Sequence, residues 1–140
     1  MTLSLFRTMF YGLVIISVYR ASNGDMQPNI WLFPLAVVLT IAGIGAAIGA
    51  TLVLGWANAF GAKRGLRTTG IFACSRNPIY LVTWVGQIGW ALLVPQPIII
   101  FVLFIWGLLY WIAIPLEERW LQIQYGSDYS SYCVRTPRYF

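Results

Sequence analysis

The chain contains no histidine and only four acidic residues, Asp25, Glu117, Glu118 and Asp128. Without histidine, a zinc site and a histidine general base are both excluded. Cysteine is nearly as scarce. Cys74 and Cys133 lie far apart and form no Cys-x-x-Cys pair; Cys74 reads either as a nucleophile or as a small residue. Charge is the third shortage. Only 9% of residues are charged against 59% hydrophobic, whereas soluble domains carry about a quarter charged residues. That excludes an ordinary water-soluble globule and leaves one membrane domain, with helices packed against one another in lipid.

What remains is a series of apolar runs separated by short polar interruptions. The first run covers roughly residues 3–19. From Asn29 to Ala62 there is no charge, so the second span is placed at about 30–60, as one long helix or a bent pair, since a crossing needs only about 20 residues. Gly45 and Gly49 form a Gly-x-x-x-Gly pattern there, which admits a close helix neighbour. The bare Gly43-Ile44-Gly45 reads as packing before it reads as a cofactor loop. The third span covers 78–94, with Gly86 and Gly89 available for close approach, and the fourth 98–116. Pro95-Gln96-Pro97 is too short to join anything but antiparallel neighbours, so these two form a C-terminal hairpin. Pro115 should bend the last helix near its end. The expected fold is therefore an all-α polytopic membrane protein of about four transmembrane helices, with a polar segment at 117–140.

Charge gives the orientation. With four spans, Arg7, Lys63, Arg64, Arg67, Arg76, Arg119, Arg135 and Arg138 fall on one side and Arg20 alone on the other. By the positive-inside rule both termini and the 62–77 loop are cytoplasmic. There the cysteines would stay reduced, and no disulfide is expected. The formal charge of +5 stands beside apolar spans, so anionic headgroups rather than nucleic acid are its nearer partner.

Two polar stretches carry the chemistry. Residues 67–80 place Gly70, Arg76, Asn77, Pro78 and Tyr80 at the start of the third span. Asn77 is in position to cap it and Pro78 to open it. A basic loop on a helix N-terminus receives a carboxylate or phosphate, although short cytoplasmic loops are commonly basic in any case. Residues 117–137 begin with adjacent acids at a helix C-terminus, where they oppose the helix dipole. At helical spacing Glu118, Gln122 and Tyr125 share one face, and Glu117, Leu121 and Gln124 the next. Gly126 should end the helix. The hairpin makes the two stretches neighbours, so Arg76 and Tyr80 face Glu117 and Glu118. A cleft with arginine, opposed carboxylates and aromatic rings suits a zwitterionic ligand such as an amino-acid-containing cofactor; a solvated helix end with interfacial tyrosines is the plainer reading.

At these residues the chain resembles the integral membrane methyltransferases related to isoprenylcysteine carboxyl methyltransferase and the phospholipid N-methyltransferases. The resemblance rests on Gly70, Arg76-Asn77-Pro78-Ile79-Tyr80, Glu117-Glu118, Tyr125-Gly126-x-x-Tyr129-x-x-Tyr132 and Val134-Arg135, and covers about the C-terminal half. It implies S-adenosylmethionine bound at the cytoplasmic face by Arg76, Asn77, Pro78, Tyr80, Glu117 and Glu118, with Gly70 in the preceding loop and Tyr125 and Tyr129 as a lid. It also implies a lipophilic acceptor entering from the bilayer: a phospholipid amine, an isoprenylcysteine or another small lipid. Glu118 or Glu117 would orient the cofactor and take a proton. Two departures bear on the acceptor. Asn77 stands where the carboxyl methyltransferases have histidine, and no arginine precedes the acidic pair to hold a substrate carboxylate. The competing readings are a membrane scaffold or transporter subunit, and a sterol-reductase-like enzyme using NADPH.

Overall fold

The structure, a computed structural model, describes residues 2–24, 27–55, 58 and 65–139, the first of them up to Arg7 by backbone alone. The elements are α1 (Thr2–Ser22), α2 (Phe33–Leu54), the single turn α3 (Ile71–Cys74), α4 (Pro78–Leu93) and α5 (Pro97–Arg135). Regular structure is helical throughout the described residues. Three of the helices carry proline in their first turn, where the missing amide would have had no intrahelical partner.

Within the second expected span, 30–60, the described helix is α2. It stops at Leu54 because Gly55 adopts φ +85° and turns its N–H back onto the carbonyls of Thr51 and Leu52. The remainder of the expected 30–60 span lies largely outside the described residues, as do Lys63 and Arg64 of the basic loop. In α5 the helical dihedrals run unbroken through Pro115, and the expected interruption falls at Gly126, with φ +51° and ψ −118°. Only glycine takes such a conformation without steric cost.

Two helices, α2 and α5, are long and apolar enough to cross a membrane. Only 11% of the apolar window of α2 is buried within the protein, so it is no core helix of a soluble domain, and residues such as Leu35, Val38, Ile41 and Leu52 face outward. Helix α4 is equally apolar but has 16 residues, a rise of about 24 Å against a hydrocarbon core of about 30 Å.

The most extensive packing is between α2 and α4. The two run antiparallel with their backbones touching at glycines. A methyl group added at Gly43 would sit 2.5 Å from Gly86 Cα and 2.7 Å from the Val82 carbonyl; one added at Gly89 would sit 2.6 Å from Thr40 Oγ1. By contrast, no described residue lies within 4 Å of a methyl built at Gly45 or Gly49. The close approach expected of α2 therefore falls within this chain at Gly43, read as a packing residue, and not at the Gly45–Gly49 pair. The Thr40, Thr51 and Thr83 hydroxyls donate to carbonyls four residues back, which satisfies them in apolar surroundings.

Helix α1 lies against α5 and the far end of the hairpin. Leu13 joins Val94, Ile99, Leu103 and Trp106 in the buried cluster. Phe10 meets the rings of Trp90 and Trp106 edge-on at 6.0 and 6.3 Å, and the Trp90 indole N–H donates to Ser17 at 3.0 Å. This leaves the opposite end of the bundle, where α2 and α5 approach the start of α4, to the polar residues.

Candidate functional site

The start of α4 is built by a tight turn. Gly70, at φ +64° and ψ −134°, leads into α3, and its carbonyl accepts from the Ala73 amide. Ser75 follows in extended conformation, fully buried, and its hydroxyl accepts from the Asn77 amide at 3.1 Å. Pro78 then opens α4. Asn77 occupies the N-cap position but makes no side-chain cap. Its amide instead donates to Glu118 Oε1 at 2.9 Å and to the Arg138 carbonyl at 3.2 Å. The expected cap is thus diverted into a bridge between α4 and α5.

Glu118 is the hub of this end of the molecule. It is only 8% exposed. Besides Asn77, its Oε1 has Arg76 Nε at 3.9 Å, and its Oε2 accepts from both Nε and Nη2 of Arg138, at 3.0 and 2.8 Å. A buried carboxylate needs this many donors to offset lost hydration. The C-terminal residues that bring Arg138 there also lie along the α3–α4 turn. The Arg76 amide donates to the Pro137 carbonyl at 3.0 Å, and the Tyr132 hydroxyl donates to the Phe72 carbonyl at 2.6 Å. Burial pushes the Tyr132 hydroxyl up to about 12, with Arg76 acting against it, so Tyr132 remains a donor. Hydrogen bonding to Glu118 raises the already high pKa of the Arg138 guanidinium.

Glu117 differs from its neighbour in every respect. It accepts one bond, from the Tyr80 hydroxyl at 2.5 Å on Oε2, and no described residue donates to its Oε1. It lines a cleft with Arg67, Arg76, Tyr80, Trp120 and Tyr125. The enclosed part measures about 80 Å³, well below the 300 Å³ or more of whole small-molecule sites. It therefore has room for the amino-acid end of a ligand, whose remainder would lie in the open mouth beside Leu66 and Arg67. One buried polar atom in this wall, Arg76 Nε, has no hydrogen-bond partner among the described residues, and Arg76 Nη1 meets Cys133 Sγ at 2.7 Å.

Of the residues singled out from sequence, Arg76, Asn77, Pro78, Tyr80, Glu117 and Tyr125 line this cleft. Glu118 lies behind Asn77 and Arg76. Gly70 shapes the turn without lining the cleft, and Tyr129 is buried beside Tyr132, ring centroids 6.1 Å apart, rather than at the mouth. Burial raises the pKa of its hydroxyl, and Glu118 raises it further. The grouping of Glu118, Gln122 and Tyr125 is divided: Gln122 is exposed and donates to the Gly126 carbonyl and to Ser130. Val134 and Arg135 face outward. Sequence reasoning missed Arg138 as a partner of Glu118; the only signal was a further arginine just after Thr136-Pro137.

Membrane-length apolar helices with arginine, tyrosine and carboxylate gathered at one end define an integral membrane bundle with a polar head. The profile of the phospholipid methyltransferase family matches residues 30–128 of this bundle, from the approach to α2 through most of α5, and the chain belongs to that family. It is thereby a methyltransferase of lipid substrates. No curated protein and no solved structure matches it.

Proposed function

We propose that the protein transfers a methyl group from S-adenosylmethionine to the amine of a membrane lipid, at the cleft between the start of α4 and the Glu117 turn of α5. The observation behind this reading is that Arg76, Tyr80 and Glu117 meet in one cleft, one layer of side chains from an open-sided apolar pocket of the bundle. Arg76, whose guanidinium lines the cleft, suits the cofactor carboxylate. The aromatic faces of Trp120, Tyr125 and Tyr80 suit its cation. The donor set therefore fits a zwitterionic cofactor, which when bound supplies a methyl group on a positively charged sulfur.

The residues have three tasks. Arg76 and the rings fix the cofactor end, so that alignment with the acceptor is set in advance. Glu117 receives the acceptor. A lipid amine is an ammonium in water and must lose a proton before its lone pair can attack, and Glu117 Oε1 is the carboxylate oxygen left open for that proton. Tyr80, donating to Oε2, holds the carboxylate in orientation. Glu118, saturated by Asn77, Arg76 and Arg138, is a positioning residue. The catalytic assignment thus moves to Glu117. An amine acceptor is favoured over an isoprenylcysteine carboxylate because Arg119, the arginine next to the acidic pair, is exposed, and Arg138 is engaged by Glu118. The cleft end carries Arg67, Arg76 and Arg138, so the positive-inside rule faces it, with the chain termini, to the cytoplasm.

The test is to reconstitute the protein with an aminophospholipid and methyl-labelled S-adenosylmethionine. Label should enter the lipid phase and resist mild base, as an N-methyl group does and a methyl ester does not. Base-labile label would point to a carboxylate acceptor. No transfer to any lipid, together with binding of NADPH in place of S-adenosylmethionine, would overturn the proposal.

A further inference from the structure

The second cavity is an open-sided pocket lined from α1, α2, α4 and α5, and measures about 350 Å³. Its wall is apolar apart from a few groups, and nearly all of these are already engaged. Thr51 and Thr83 donate to carbonyls in their own helices. The Tyr110 hydroxyl meets Trp106 and Thr83. Gln87 is the exception. It is 9% exposed, it lines the cavity, and its Nε2 has no hydrogen-bond partner among the described residues. A buried amide without a partner is destabilising, so a ligand carbonyl that the Gln87 side chain turns to meet would relieve it.

The cavity is aligned with the cleft. Ile79 lines both. Tyr80 on the cleft side and Tyr110 on the cavity side stand edge-to-face, 4.6 Å apart. Gln87 comes seven residues after Tyr80 on α4, about 10 Å further along the axis. That is comparable to the reach of a phosphoethanolamine headgroup from its amine to the ester oxygens of its glycerol. Ile48, half exposed, lines the cavity edge and lets chains continue into the bilayer.

We propose that Gln87 is a specificity-determining residue, whose amide donates to an ester carbonyl of the acceptor lipid and selects acyl-ester lipids over lipids of similar shape without that carbonyl. This rests on the reading of the cleft as the site where the lipid amine is methylated.

The experiment measures lipid binding to the purified full chain by native mass spectrometry, with no methyl donor present. The probes are a diacyl phosphatidylethanolamine and its dialkyl ether analogue of equal chain length. The wild type should prefer the diacyl lipid by on the order of tenfold, and Gln87→Leu should bind both alike. Gln87→Asn, which keeps a donor on a shorter arm, should show an intermediate preference. Equal binding by the wild type, no binding of either lipid, or a preference that survives in Gln87→Leu would each overturn the proposal, and the wild-type comparison decides even if a variant fails to fold. Ester preference without any methylation would sink the transferase reading and leave this one standing; methylation without ester preference would do the reverse.

Discussion

Helix α4 is held on its two sides by different physics. Against α2 it is held by shape, with Gly43, Gly86 and Gly89 letting the two backbones meet and no polar side chain bridging them. Against α5, at the cleft end, it is held by polar bonds converging on one carboxylate, that of Glu118, from Asn77, Arg76 and Arg138. A steric seam has no substitute if it is filled. A polar hub shares its load, so losing one donor leaves others. The cleft depends on both: the seam sets where α4 stands, and the hub sets how its first residues meet Glu117.

The sharpest way to break this contrast is to fill the seam. Gly43→Leu and Gly89→Val each put a side chain where the neighbouring backbone lies within 3 Å of the first added carbon. Overpacking a core usually costs about 1–3 kcal/mol, but here the obstacle is mainly main chain, which cannot rotate aside. The expected result is no monodisperse protein after detergent extraction, read by size-exclusion chromatography. Recovery of well-folded Gly43→Leu protein would mean that α2 and α4 do not meet at these residues.

The next largest effect separates the adjacent acids. Glu117→Gln keeps an oxygen to accept from Tyr80 but removes the proton acceptor. Methyl transfer should fall about 10²–10⁴-fold while the melting temperature stays within a degree or two. Glu118→Gln should do the opposite. It discharges a hub that is 8% exposed, and removing one partner of a buried pair costs about 3–5 kcal/mol. The half-exposed Arg138 side chain reduces that to about 2–3 kcal/mol, because solvent screens its share. Arg138→Ala, which leaves Asn77 and Arg76 in place, should cost about 1 kcal/mol. Thermal melts of the three variants in one detergent provide the comparison. If Glu117→Gln proves the least stable and Glu118→Gln the least active, the roles are exchanged.

The head was more legible in the sequence than the seam. Arg76, Tyr80 and the acidic pair could be brought together on paper because Pro95-Gln96-Pro97 leaves only one way to connect the third and fourth spans. Pro78 and Gly126 marked a helix start and a helix break through local backbone chemistry alone. The division of labour between Glu117 and Glu118 was not legible. It depends on Asn77 forgoing its cap and on Arg138 folding back from 20 residues away in sequence, and neither is a local event. The seam was legible only in part: Gly43, Gly86 and Gly89 read as packing residues, but so did Gly45 and Gly49, for a related reason. Every residue of α2 is apolar or small, so the composition carries no polar face to show which side meets α4. Register there is decided by which glycine finds a glycine opposite it, and Gly86 selects Gly43.

That leaves Gly45 and Gly49, which form the Gly-x-x-x-Gly pattern, on a surface where no described residue lies within 4 Å of an added methyl. At such a position alanine meets no obstacle and removes backbone freedom from the unfolded chain, a gain of about 0.5–1 kcal/mol in a helix. Gly45→Ala should therefore fold as well as the wild type or slightly better and keep full methyl transfer, two residues from a glycine where alanine is not tolerated. The measurement is a thermal melt with an activity assay on Gly45→Ala and Gly43→Ala side by side. A loss in Gly45→Ala comparable to that in Gly43→Ala would show that this face of α2 is also packed against a neighbour, and that the seam does not end at α4.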